Sequence, residues 1–365
     1  MKFYLAGGAL RDMLLGNMPH EYDFVFSGTA DEFISCNPNA RKAGTVFEIA
    51  IENGIEYAPM RGKNIEEDLL SRDITINAVA LDTDGRLYSH PLSFTDINNK
   101  VLRFVSDSSL EDDPVRAFRI ARFAAAYPDF SVHPASLSLL QSLSTTSVLQ
   151  ELIPERIGLE LCKALQTAVP GRFVEVLEAA RCLAPWFSEL VGFSERPAGP
   201  VEFHSENCLE HTVAVMNGCA GNPLAVYMAL CHDLGKLCTP LAELPRHLGH
   251  EKAGVAPALA LGQRLRLPQR MITAGAIAAR EHMKGGQYLS LKCGTRVDLL
   301  MKLYKADVLE AFFVMVAADS GKQYLSVARK ELAKTLAVRL PEEYQNMGKE
   351  SGKKLRELRC HALTH

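Results

Sequence analysis

Glu21 and Asp23 stand one residue apart in Glu21-Tyr22-Asp23-Phe24-Val25-Phe26, an apolar, strand-like run. On a strand, side chains two apart leave from one face, so both carboxylates project together while Tyr22 points away. Such a pair repels itself unless a cation sits between, and Mg²⁺ suits an all-oxygen site. Just before it, Lys2-Phe3-Tyr4-Leu5-Ala6 runs into Gly7-Gly8 and then Ala9-Leu10-Arg11-Asp12. A glycine turn feeding a helix amino terminus is a place for a phosphate. The two features together predict the handling of a nucleoside triphosphate. A second group gathers round Cys231-His232-Asp233-Leu234-Gly235-Lys236, with His211 upstream and His247, His250, His282 and Asp319 downstream. Adjacent His and Asp sit poorly in an apolar core, but both can meet a metal at its edge.

The elements that must position these residues fall into two regimes. Up to about residue 105, strand and helix signals alternate: the opening strand, Glu21–Phe26, Val46–Ile51, Gly54–Pro59 and Ile74–Asp82. From about Asp112 the pattern is helical. Asp113-Pro114 leads an apolar stripe of Val115, Phe118, Ile120, Ala121 and Phe123. Further helices are expected over Pro134–Leu143, Pro154–Leu165 and Phe173–Cys182. Pro185 and Glu195-Arg196-Pro197-Ala198-Gly199-Pro200 read as a linker, followed by a second helical block over about His204–Leu340. The run from Gly348 to Arg356 is polar and basic and reads as a mobile tail.

Bulk properties narrow the classes. A chain of 365 residues implies two or three domains, and 47% apolar residues with few aromatics fits a soluble, largely helical protein. No apolar run approaches a membrane span and no leader precedes the first strand, so a cytoplasmic protein with no membrane partner is expected. The nine cysteines lack paired spacing and read as reduced thiols. A net charge of -3 confines any nucleic-acid contact to local basic faces. No internal repeat is evident.

Two further blocks complete a pattern. One is Glu66-Glu67-Asp68-Leu69-Leu70-Ser71-Arg72-Asp73-Ile74-Thr75-Ile76-Asn77-Ala78-Val79-Ala80, the other Asp112-Asp113-Pro114-Val115-Arg116-Ala117-Phe118-Arg119-Ile120-Ala121-Arg122-Phe123. With Leu152-Ile153-Pro154-Glu155-Arg156, these ordered motifs resemble the bacterial tRNA nucleotidyltransferases, CCA-adding enzymes of the polymerase-β-like superfamily. The resemblance implies an α+β fold: a small mixed α/β, palm-like head over 1–105, then an all-α body. Within that body, 106–195 would recognise the base and bind tRNA, and 196–340 would be an all-α HD domain, with 341–365 as the tail. It implies that Gly8 and Arg11 hold the triphosphate, that Glu21 and Asp23 bind catalytic Mg²⁺, and that Arg72 contacts the nucleotide. Asp113, Arg116, Arg119 and Arg122 would lie on the helix that reads the base. Asp113 and Arg116, three apart, would offer one acceptor and one donor to the amine and ring acceptors of C and A. Expected partners are the tRNA acceptor arm, CTP and ATP, as monomer or homodimer. Arg156, Lys163, Arg172 and Lys353-Lys354 are candidate backbone contacts.

Two departures from the family stand out. Glu21 occupies the first place of the usual Asp-x-Asp pair, and Glu56 is a candidate supporting carboxylate on the following strand. Only Met60 to Ile65 separates Pro59 from Glu66, where the family has a longer flexible segment that reshapes the pocket from CTP to ATP. Relatives lacking it add CC alone, and a CC-adding form is the alternative reading.

The His232-Asp233 block resembles HD phosphohydrolases, in which His211, His232, Asp233 and Asp319 would hold a metal. His250 and His282 would take a second ion or the phosphate. Ni²⁺, Mg²⁺, Mn²⁺ and Co²⁺ all suit such mixed ligands, and a water activated there would attack a phosphoester. Enterobacterial CCA-adding enzymes carry such a domain with 2′,3′-cyclic phosphodiesterase and phosphatase activity. Competing readings are an HD hydrolase whose head only binds nucleotide, a poly(A) polymerase, and a non-enzymatic tRNA scaffold.

Overall fold

The computed structural model describes residues 1–19, 21–43, 48–202 and 205–364. The chain divides into two compact units: residues 1–151 with 179–182, and residues 152–178 with 183–365.

The first unit is built on a seven-stranded mixed sheet. In chain order its strands are β1 (Phe3–Ala6), β2 (Asp23–Phe26), β3 (Arg41–Ala43), β4 (Ile49–Glu52), β5 (Ile55–Pro59), β6 (Val79–Asp82) and β7 (Leu87–Ser89). Their spatial order is β3-β4-β5-β2-β1-β6-β7. Period-two alternation gives the sheet two apolar faces. Tyr4, Ala6, Val25 and Ala80 pack on one with Ile65 and Leu69. Phe26, Phe33 and Ala50 pack on the other. Short helices fill the connections: α1 (Gly8–Leu14), α2 (Ala30–Cys36), α3 (Ile65–Leu70), α4 (Ser93–Asn98) and α5 (Ser109–Asp112). The longer α6 (Arg116–Ala126) and α7 (Pro134–Ser144) complete the unit. The strand expected over Val46–Ile51 begins outside the described residues, and β4 opens at Ile49. Of the strand expected over Ile74–Asp82, only Val79–Asp82 is extended, because Thr75–Asn77 closes a 3₁₀ turn.

The second unit is helical: α8 (Pro154–Ala164), α9 (Arg172–Ala179), α10 (Cys208–Gly218), α11 (Pro223–Cys231), α12 (His250–Ala253), α13 (Val255–Arg264), α14 (Gln269–Gly286), α15 (Cys293–Lys305), α16 (Leu309–Ser320), α17 (Leu325–Ala337) and α18 (Lys349–Thr364). Apolar all round, α11 is its axis. Ala225 to Cys231 are all buried, and α10, α14 and α16 pack against it. Burial pushes the thiols of Cys219 and Cys231 up to about 12, as expected of inert apolar cysteines. The segment read as a tail forms α18, which packs on α15 and α17. There Arg356 pairs with Asp298 at 2.7 Å. Its Leu355, Leu358, Ala362 and Leu363 fall at helical spacing, a weak stripe masked by six basic neighbours.

Candidate functional site

In the first unit, β1 ends in the Gly7–Gly8 turn. Gly7 has φ +74°, a conformation that costs glycine nothing. A Cβ there would lie 2.6 Å from Nη1 of Arg72, so the guanidinium lies directly against the turn that opens α1. Asp68 holds Arg72 from the α3 side, accepting from Nη2 at 3.0 Å and from Nε at 3.2 Å. Arg11, on α1, is buried. It donates to Oδ1 of Asn77 at 2.6 Å and to Asp12 at 2.8 Å, and stacks 4.9 Å from the Tyr127 ring. Burial pushes the Tyr127 phenol up to about 12, so it stays protonated and donates to Asp12 at 2.8 Å.

The arginines of α6 reach the same segment. Arg116 is buried and donates to the carbonyls of Ser71 (2.6 Å) and Ser109 (3.2 Å). Arg119 donates to Asp73 at 2.8 Å. Thus Arg72 is flanked on both sides by residues that α6 grips. Burial alone would raise the Asp73 carboxyl. The Arg119 guanidinium and the N–H groups of Asn77 and Ile74 outweigh it and hold the group well below the carboxylate range. Arg122 lies 4.1 Å from the Phe123 ring.

Two expectations about placement change. Asp113 precedes α6 in an extended conformation, and the helix opens only at Arg116. Asp113 and Arg116 therefore do not share one helix face, because Pro114 forces an extended residue before it. Glu21 lies two residues before β2, which starts at Asp23. The partner the strands do supply is Glu56, paired in register with Asp23 across parallel β2 and β5. Glu21, Asp23 and Glu56 are all exposed. An exposed set of oxygen donors suits a hard cation such as Mg²⁺. Asp68, Asp73 and Asn77 carry the support network, and only their place inside the Arg72 block pointed to it.

The second unit brings its histidines together. α10, opened by an Asn207–Glu210 capping box, carries His211, and α11 ends at His232-Asp233. α12, α14 and α16 bring His250, His282 and Asp319. Nε2 of His232 lies 3.1 Å from Asp233 Oδ2 and 3.4 Å from Nε2 of His211, which is 3.2 Å from Asp319. On the other oxygen of Asp233, Nε2 of His250 and of His282 approach to 3.3 and 3.5 Å, and to 3.0 Å of each other. Two groups able to hold an ion result, His211-His232-Asp233 and Asp233-His250-His282, with Asp233 common to both.

The second layer fixes which nitrogens face inward. Nδ1 donates to the carbonyl of Ala229 from His232, of His247 from His250 and of Ala278 from His282, while Nδ1 of His211 meets Glu206. With Nδ1 engaged outward, every Nε2 faces inward, where a ligand would meet it. Burial pulls His282 down to about 4, which keeps it neutral and ready to ligate. Asp233 is held well below the carboxylate range by His232 and Lys236 against the penalty of burial. Buried nitrogen and carboxylate donors of this kind fit a divalent transition ion or Mg²⁺. Gly235 makes the cluster possible: a Cβ on it would meet the His250 carbonyl at 2.0 Å, so α12 rests on bare backbone. His247 stands apart, bonded to Thr239 and the Pro197 carbonyl at 2.9 and 2.8 Å. It braces the loop.

Of the remaining RNA candidates, Arg156, Lys163 and Lys353 are exposed and Arg172 is half-buried. Lys354 lies 5.0 Å from the Tyr344 ring. Among the described residues no helix is long and apolar enough to cross a membrane.

Comparison with known proteins gives three kinds of match. The family described as "Poly A polymerase head domain" matches residues 3–63. The multifunctional CCA protein of Acinetobacter baumannii (strain SDF) is 34% identical over an alignment 407 positions long, covering 100% of this chain and 97% of the relative. That of Halorhodospira halophila is 32% identical, covering 100% and 96%. Among solved structures, the Thermotoga maritima CCA-adding enzyme complexed with tRNA superposes with a TM-score of 0.66 at 19% identity, over 99% of this chain and 87% of that one. A CCA-adding enzyme with ATP gives the same score and identity over 99% and 86%.

Proposed function

The chain belongs to the multifunctional CCA proteins, the CCA-adding tRNA nucleotidyltransferases, and from that premise we propose a division of labour between its two units. The first extends the tRNA 3′ end with CTP and ATP. The second hydrolyses phosphoesters at a metal cluster. The carrying observation for the first is the meeting of Arg72 with the Gly7–Gly8 turn, on the sheet whose neighbouring strands align Asp23 and Glu56.

In this reading Gly8, Arg11 and Arg72 receive the triphosphate, and Glu21 and Asp23, supported by Glu56, hold Mg²⁺. A divalent cation held there would neutralise charge at phosphorus and at the leaving group. The tRNA 3′-hydroxyl attacks the α-phosphorus, the bond to the β-phosphate oxygen breaks, and pyrophosphate departs while the hydroxyl proton passes to solvent. Asp113 would accept from the base amine. Arg116 and Arg119, committed to Ser71 and Asp73, act by fixing the Arg72 segment.

For the second unit, the supporting observation is the four inward Nε2 atoms around Asp233 and Asp319. His211, His232, Asp233 and Asp319 would hold one ion and Asp233, His250 and His282 another, supplying Lewis acidity and water activation. A 2′,3′-cyclic phosphate is the fitting substrate class. Water adds to phosphorus, one ring P–O bond opens, and the freed ribose oxygen takes the proton. His232→Ala should abolish this hydrolysis and leave nucleotide transfer intact; loss of both would refute two independent sites.

One observation favours a narrower programme. The link from β5 to α3 is short and pinned: Asp68 accepts from the Arg61 N–H at 3.0 Å, Glu67 from Lys63 at 2.8 Å, and Asn64 caps α3. A loop so tied has little freedom to re-form the pocket for ATP after two C residues. Incubating tRNA that lacks its CCA end with CTP and ATP, and sizing the products, tests it. Stopping at CC supports the narrower reading, and full CCA refutes it.

A further inference from the structure

A cavity of about 320 Å³ opens onto the histidine cluster of the second unit, lined by His211, Asp233, His250, His282 and Asp319 on its inner side. That is the low end for a small-molecule site, enough for a terminal phosphate and its sugar. Two cationic side chains also line it, Lys236 and Arg246. Lys236 is committed. It is buried, with Nζ 2.6 Å from Asp233 Oδ2 and donating to the Ala198 carbonyl at 2.7 Å. Its charge is matched before any substrate arrives. Arg246 is exposed, and among the described residues no carboxylate pairs with it. Its backbone is nonetheless placed. The N–H of Arg246 donates to the Glu243 carbonyl at 3.0 Å, and the adjoining His247 is buried and bonded on both ring nitrogens. A guanidinium on an anchored loop, facing a cavity floored by metal-binding groups, has the donors for a planar two-oxygen contact with phosphate. Beside it Leu248 and Met283 line the open side, 80% and 45% exposed, and give the attached nucleoside an apolar surface.

We propose that Arg246 is the substrate-phosphate ligand of this cavity, donating to the non-bridging oxygens of a terminal or 2′,3′-cyclic nucleoside phosphate presented to the histidine cluster. This rests on the hydrolase reading of the second unit. It assigns selectivity for the anionic group to Arg246 and not to the lysine of the His-Asp-Leu-Gly-Lys run.

The test uses the full-length, Mn²⁺-loaded protein with Arg246→Ala and Arg246→Lys. Calorimetry measures inorganic phosphate and Mn²⁺ binding, and kcat and KM are measured for 2′,3′-cyclic AMP. Nucleotide transfer to tRNA serves as the fold control. Loss of a charge-assisted two-oxygen contact should weaken phosphate binding and raise KM roughly 10- to 100-fold in Arg246→Ala. Mn²⁺ affinity and nucleotide transfer should stay within about twofold, since the substitution removes no ligand. Arg246→Lys should fall between, keeping charge without the fork. Unchanged phosphate affinity in Arg246→Ala overturns the inference alone. Loss of Mn²⁺ binding in parallel also overturns it, by making Arg246 a support of the cluster. A parent protein that neither hydrolyses 2′,3′-cyclic AMP nor binds phosphate overturns the hydrolase reading and this inference together.

Discussion

Asp73→Asn strikes the buried joint that holds Arg72. Four donors converge on this carboxylate: Nε and Nη2 of Arg119, Nδ2 of Asn77 and the N–H of Ile74. An amide of the same shape keeps one accepting oxygen and turns its N–H groups toward the two donors on the other. Breaking a buried pair in this way costs about 3–5 kcal/mol. Since the Arg119 side chain is 34% exposed and Asp73 only 6%, the low end applies, about 3 kcal/mol. For a unit of this size, that lowers the melting temperature by roughly 6–12 °C. The pH dependence carries the mechanism. A carboxyl held below its unfolded value of about 3.9 contributes stability above that pH and loses it as pH falls toward the folded value. The gap between parent and variant should be full at pH 7. Below about pH 4 it should shrink by up to about 1.4 kcal/mol per unit. Scanning calorimetry of both proteins at pH 7 and pH 3 measures it, following the transition that CTP raises. A shift under 2 °C, or a gap unchanged between the two pH values, refutes this account of Asp73.

Other perturbations separate the two sites. Asp23→Asn should reduce nucleotide transfer roughly 10³-fold, with hydrolysis of 2′,3′-cyclic AMP retained; Glu21→Asp should keep transfer within about tenfold, as steady-state assays would show. Gly7→Ala places a Cβ 2.6 Å from Arg72 Nη1 at φ +74°, so it should cost about 1–2 kcal/mol and raise the KM for CTP. Gly235→Ala drives a methyl into the His250 carbonyl. Elemental analysis should then find less metal per chain while CTP transfer persists, and full metal content would refute the packing argument.

Much of this was legible in the chain because local rules and tertiary demands agree there. The apolar run into Gly7–Gly8 became β1 and α1, and the stripe after Pro114 became α6. Helices expected over Pro134–Leu143 and Pro154–Leu165 match α7 and α8 to within a residue, since proline marks each start. The histidines also came together, as adjacent His232-Asp233 at the end of a helix with His211, His250 and His282 on others allows. What periodicity could not convey is direction. Arg116 and Arg119 look like ligands of a substrate in sequence, yet their guanidinium groups turn to Ser71 and Asp73, partners 45 and 46 residues away. Spacing alone favours Glu21 over Glu56, whereas parallel pairing sets Glu56 beside Asp23. Likewise α18 was hidden because its apolar stripe is thin and its charge dense.

The same distant pairings order events during synthesis. Arg11 meets Asn77 after 66 residues and Tyr127 meets Asp12 after 115. The opening strand and glycine turn therefore leave the ribosome well before the groups that hold Arg11 and Arg72 in place. With elongation at roughly 5–20 residues per second, several seconds pass before α6 can close the network. Until then Arg11 and Arg72 have the near-neighbour carboxylates Asp12 and Asp68 as partners but lack the bracing that α6 and Tyr127 supply. A nascent chain arrested before residue 127 should accordingly be unable to retain nucleotide.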